Sequence, residues 1–152
     1  DIPTRSGRIV LLDLTDAGRR ALAEAGVEAP PRSRWGSLEH EYWKHKIARR
    51  GEELGYTATL EEPVNGYTDV VLVSKDGTKT AIEIETGKSD WRQNLEKNVK
   101  KGMDRVILAA TNDVTLRAIQ KGLDEDYANS GLIEALPAWD LVERLEEHLL
   151  RQ

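Results

Sequence analysis

The chain has 152 residues, no cysteine and a formal net charge of −5. That length fits one domain with a modest appendage, and the missing cysteines exclude disulfides, thiolate metal sites and a thiol nucleophile. Charged residues make up 32%, no apolar run approaches a membrane span, and a cysteine-free chain fits a reducing compartment, with the cytoplasm as the expected location.

Arg8 to Leu14 (RIVLLDL) reads as a strand, Thr15 as an N-cap and Asp16 to Ala25 as an amphipathic helix stopped by Gly26. Residues 1–30 are thus a strand–helix appendage, too small to bury a core alone. Residues 31–36, after Pro30, read as a linker. Residues 37–152 form the main domain. Ser37 caps a helix from Leu38 to about Leu54, with Trp43, Ile47 and Leu54 on its core stripe. Glu39 and His40 flank that stripe. Tyr56 to Glu61 is a strand, followed by a turn at Pro63 and Asn65-Gly66. Tyr67 to Val73 and Thr80 to Glu85 are strands joined by a hairpin around Asp76-Gly77. A helix from Asp90 to Lys101 leads to the apolar strand Val106 to Ala110, which reads as a buried parallel strand after a right-handed crossover. A short helix over Thr115 to Lys121, an edge strand over Leu132 to Leu136 and a helix from Trp139 to Leu150 complete the chain. The expected fold is α/β: a mixed sheet in the order α-β-β-β-α-β, with helices on both faces.

Charge is unevenly spread. Arg32 to Arg50 holds six basic residues against two acidic, Lys88 to Arg105 six against three, and Asp124 to Gln152 two against eight. An acidic total can therefore hide a basic face.

Three acids stand out. Asp69 interrupts an apolar strand, and Glu83 and Glu85 alternate with Ile82 and Ile84. Their meaning depends on the hairpin. A two-residue Asp76-Gly77 loop puts Asp69 opposite Ile84 and the acids on opposite faces. A three-residue loop Lys75-Asp76-Gly77 with a bulge at Gly77 puts Asp69 directly across from Glu83. Like charges paired across a sheet are destabilising, and such a pair calls for a cation. Oxygen ligands without cysteine point to Mg²⁺ or Mn²⁺. His40 and His45 lie about 140° apart on a helix and cannot share a ligand. His148 reads as exposed, and a non-catalytic role is expected for each histidine.

The segments GYTDVVLV and TAIEIETGKSD, with the helix and buried strand that follow, resemble the PD-(D/E)XK nuclease superfamily, the restriction-endonuclease-like fold shared with Holliday-junction resolvases. More closely, GSLEHEYWKHKI with IEIETGKSDWRQNLEKNVKKGMDRVILAATN looks like the nuclease-like domain attached to some prokaryotic ATPases. LTDAGRRAL resembles the wing and last helix of a winged-helix domain, so the appendage reads as a remnant of one. The chain opens on Asp1, not Met, which points to a piece of a longer protein.

The resemblance implies metal ligation by Asp69 and Glu83, and makes Glu39 the match for the resolvase first-helix glutamate. Glu85 stands where the family has lysine. It would ligate the metal or activate water, with Lys88 supplying the missing cation. Lys44, Lys46, Arg49, Arg92, Gln93, Lys97, Lys100 and Lys101 are candidate contacts to nucleic acid, DNA being expected, and Trp91 a candidate base-stacking residue. Two functional classes follow: a Mg²⁺-dependent nuclease, or a decayed nuclease fold that binds nucleic acid or protein. The expected partner beyond nucleic acid is a second copy or an ATPase-like chain.

Overall fold

The computed structural model describes residues 2–4, 7–29, 37–63 and 67–150. The expected linker, Trp35 and the 64–66 turn lie outside them. A small ribbon comes first, with β1 (Ile2–Thr4) antiparallel to β2 (Gly7–Ile9). The longer strand expected over Arg8 to Leu14 does not form. β1 offers β2 only three pairing positions, and residues 10–15 leave the ribbon irregularly, with Leu11 packed on the main core. Helix α1 (Asp16–Glu24) starts at Thr15, whose hydroxyl accepts from the Gly18 amide.

The main body is a five-stranded mixed sheet with helices on both faces. Its strand order follows the sequence: β3 (Thr57–Pro63), β4 (Tyr67–Val73), β5 (Lys79–Glu85), β6 (Arg105–Ala110) and β7 (Ile133–Pro137). The first three strands run antiparallel, and β5, β6 and β7 run parallel. β5 is central, which explains its unbroken burial from Thr80 to Glu85.

Alternation along the strands divides the core. Ile82, Ile84, Ile107 and Ala109 face helix α2 (Leu38–Glu53), α5 (Ala138–Glu143) and α6 (Leu145–Leu150). Ala81, Val106, Leu108 and Ala110 share the other core with Leu95 of α3 (Trp91–Lys100) and Ile119 of α4 (Asp113–Asp126). Gly51 lets α2 lie close to the sheet, since a Cβ there would stand 2.6 Å from Leu72.

Two helices differ from expectation. α4 is longer than Thr115 to Lys121, because Asn112 caps it early by accepting from the Thr115 amide. The last helix breaks at Arg144 into α5 and α6, and the break buries His148 completely. His148 is therefore not an exposed tail residue. It packs 3.4 Å from Asp140 and 3.7 Å from Glu134. No helix among the described residues is long and apolar enough to cross a membrane.

Candidate functional site

The β4–β5 hairpin sets the geometry. Val70 pairs with Ile82, and Val73 with Lys79. The Ser74 amide donates to the Thr78 carbonyl, closing the three-residue loop Lys75-Asp76-Gly77, with Gly77 at φ 87°. That left-handed residue absorbs the bulge. Beyond the last ladder pair the Ile84 amide donates to Asp69 Oδ2 at 2.8 Å, and Asp69 and Glu83 line the same cavity.

Both acids lie on a cavity of about 390 Å³, lined also by Ser37, His40, Tyr67, Ile84, Thr86, Lys88, Ser89 and Asn94. Asp69 Oδ2 takes two donors, His40 Nε2 at 3.1 Å and the Ile84 amide at 2.8 Å. Glu83 Oε1 likewise takes two, Asn98 Nδ2 at 2.7 Å and Lys97 Nζ at 3.1 Å. Each acid thus keeps a second oxygen that none of these donors uses.

Burial acts to raise the Asp69 carboxyl, but the bond and charge of His40 and the Ile84 amide outweigh it and hold Asp69 below its ordinary value. Glu83 goes the other way. Burial, reinforced by the Asp69 charge, pushes it up to about 8 despite Lys97 and Asn98. Two like charges this close do not ionise together readily.

Glu85 is raised as well, chiefly by burial. Its Oε2 accepts from Ser89 Oγ at 2.9 Å and its Oε1 from Asn94 Nδ2 at 3.0 Å. Each oxygen thus has one donor, and Glu85 is not among the residues lining the cavity.

Helix α2 reaches the site through His40, and Glu39 is not among the lining residues. The Ser37 cap starts the helix so that position 40 turns to Asp69. Lys88 is exposed on the cavity wall. The cation in contact with Glu83 is Lys97, which also donates to the Tyr67 carbonyl.

Several expected nucleic-acid contacts turn out to be occupied. Lys44 is 1% exposed and bonded to Glu41. Lys97 and Lys101 point inward, Lys101 donating to Thr68 Oγ1 at 3.0 Å. Arg92 pairs with Asp126 and lies over the Trp91 ring. Trp91 itself packs against the second core, so close to Gly122 that a Cβ there would stand 2.5 Å away. It is half-buried, with the Arg92 guanidinium over its ring. Lys46 and Arg49 are exposed, yet they line a separate groove with Leu38 and Tyr42. Gln93 and Lys100 are exposed on α3.

Among the described residues no group of three or more His, Asp or Glu is arranged to hold a metal. Asp69 and Glu83 are the two carboxyls of the cavity that could take a cation, and Mg²⁺ is commonly bound through only one or two carboxylates with water completing its shell.

No protein-family model matches the sequence, and no curated protein matches it. Among solved structures the chain is similar to a repair endonuclease from Pyrococcus abyssi, at 20% identity and a TM-score of 0.42 over 70% of this chain and 49% of that one. It is also similar to an EndoMS–dsDNA2 complex, at 16% identity and a TM-score of 0.40 over 74% of this chain and 50% of that one. The chain therefore spans about half the length of either structure.

Proposed function

We propose that this domain is a PD-(D/E)XK-type, Mg²⁺-dependent nuclease acting on DNA. The observation that carries the reading is the Asp69–Glu83 pair: two desolvated carboxyls, each with one oxygen unclaimed, in a polar cavity. Ionising both acids would set like charges against each other across the sheet, which a bound cation relieves. Asp69 and Glu83 would hold the ion, displacing the proton that Glu83 retains at neutral pH. Bound there, Mg²⁺ supplies Lewis-acid neutralisation of charge on a phosphodiester.

The chain's own groups do the rest. His40 fixes the orientation of Asp69 from one side and Ile84 from the other. Lys97 takes the place in space that the family's motif lysine has in sequence, beside Glu83. Lys88, on the wall, is placed to contact a phosphate oxygen. Glu85 holds Ser89 and Asn94 at the base of α3. Exposed Lys100 and Gln93 extend the polar surface along that helix.

A second reading has its own observation. Lys97 and His40 already compensate the acids without a metal, as a decayed, binding-only fold would require. Incubation with supercoiled plasmid and Mg²⁺ or Mn²⁺, with a chelator control, separates the two. Nicking that Asp69→Asn and Glu83→Gln abolish supports the nuclease. DNA retention at low salt without cleavage supports the binding fold. Pairing with a second copy would supply the second active site that a double-strand cut needs, and an ATPase-like chain would be the other partner to seek.

A further inference from the structure

Helix α3 meets the sheet through polar side chains at helical spacing: Asn94, Lys97, Asn98 and Lys101. Asn98 on its inner face and Thr68 of β4 beneath it have no exposure at all. Buried polar groups are costly unless bonded, and these two are bonded to each other. Lys101 Nζ lies 3.0 Å from Thr68 Oγ1, Thr68 Oγ1 2.6 Å from Asn98 Oδ1, and Asn98 Nδ2 2.7 Å from Glu83 Oε1.

The chain has only one consistent direction. An ammonium has donors and no acceptor, so Thr68 must accept from Lys101. The Asn94 carbonyl, which only accepts, takes a hydrogen of Asn98 Nδ2 at 2.8 Å, so the amide oxygen faces Thr68 and accepts its hydroxyl proton. The other amide hydrogen is thereby turned to Glu83. A flipped amide would set its oxygen against the Asn94 carbonyl oxygen.

We propose that Lys101, Thr68 and Asn98 form a one-way hydrogen-bond relay that fixes which oxygen of Glu83 faces Asp69, with Asn98 the positioning residue; this rests on the nuclease reading above. With Oε1 held by Asn98 and Lys97, Oε2 is the oxygen left for an ion shared with Asp69. The relay anchors in α3 and β4, so it ties the crossover helix to both acid-bearing strands.

The test uses Thr68→Val, which keeps the shape and removes the hydroxyl, with Thr68→Ser as the conservative rescue. Calorimetric titration with Mn²⁺ should show affinity falling about tenfold in Thr68→Val, the scale of lost support to a metal ligand, and returning to within about twofold of wild type in Thr68→Ser. A metal-free readout is hydrogen exchange of the Asn98 side-chain amide by NMR, which should speed up about tenfold in Thr68→Val but not in Thr68→Ser. Should Thr68→Val fail to fold, Lys101→Met, altered at a half-exposed position, is read in the same two ways. Wild-type Mn²⁺ affinity together with unchanged Asn98 exchange in a folded variant overturns the relay and leaves the nuclease reading standing. If wild type itself binds no Mn²⁺, the nuclease reading fails, and Asn98 exchange alone decides the relay.

Discussion

His40 Nε2 lies 3.1 Å from Asp69 Oδ2, so helix α2 serves the site through its histidine. That contact makes a clean comparison with its neighbour. His40→Ala should cost about 1–3 kcal/mol, the range for a hydrogen bond to a charged group whose partner is left half-buried. It should also lower cleavage, because Asp69 loses the bond that orients it. Glu39→Gln should change both within about 0.5 kcal/mol, as surface substitutions do. Urea unfolding and plasmid nicking of the two variants check this, and a Glu39 effect as large as that of His40 would reverse the assignment.

Glu83 gives the stability of the metal-free protein a definite pH slope. Its carboxyl is raised from 4.5 to about 8. Below 4.5 folded and unfolded chains both hold the proton, and the group contributes nothing. Between 4.5 and 8 the unfolded chain releases it while the folded chain keeps it, so stability falls as pH rises. Above 8 the loss is complete. Glu83→Gln mimics the protonated acid: its oxygen accepts from Asn98 and Lys97, and its amide donates to Asp69. The variant should match wild type near pH 4 and exceed it at pH 8.5 by roughly 1–2 kcal/mol, about 2–8 °C in Tm. Parallel Tm curves across this range would contradict the shift.

Asp140 has the opposite slope. Two bonds from Arg144, at 2.9 and 2.7 Å, outweigh burial and hold its carboxyl below the ordinary 3.8, with His148 adding to the effect. A depressed acid stabilises the fold above its unfolded value and loses that contribution as pH falls through the folded one. Asp140→Asn should therefore be less stable than wild type at pH 6, and the gap should close below 3.8. Thermal melts at pH 2.5, 4 and 6 measure it. A gap that does not narrow at all between pH 6 and pH 2.5 would mean the cost is packing around His148, not charge.

The sheet was legible in the sequence because strand order follows chain order, the β3 and β5 segments alternate, and β6 is a short apolar run of the kind a buried strand carries. The acid pair was legible only conditionally, since its meaning turned on one loop residue. Gly77 at positive φ decides for the three-residue loop. The partners of the acids were hidden for a different reason. On α3, Leu95 and Val99 are the apolar i, i+4 pair that periodicity selects, yet Val99 is 51% exposed and Asn98 is buried. The helix is rotated so that an amide, not an isopropyl group, meets Glu83. At α2 the choice between Glu39 and His40 is one helical step, which only packing resolves. His148 read as exposed because the break at Arg144 that turns it inward leaves no proline or glycine signal.

Lys97 is the residue on which the two functional readings differ most sharply. Its ammonium sits 3.1 Å from the same carboxyl that a divalent ion would use. In wild type an incoming Mn²⁺ must share Glu83 with a resident cation, which weakens its binding. Lys97→Met keeps much of the side-chain volume and removes the charge. Mn²⁺ should then bind more tightly to the variant than to wild type, while cleavage falls because no fixed cation remains beside the acids. An ion at about 100 times its Kd adds roughly 2.7 kcal/mol, and at this chain length each kcal/mol moves Tm by about 2–4 °C. The expected result is a larger Mn²⁺-induced Tm rise in Lys97→Met than in wild type, with slower nicking. If Lys97→Met gains no Mn²⁺ response over wild type, the ammonium and the ion do not compete for Glu83. If neither protein responds at all, the Lys97 and His40 contacts are the acids' only basic partners among the described residues, as in a binding fold, and the nuclease reading gives way to it.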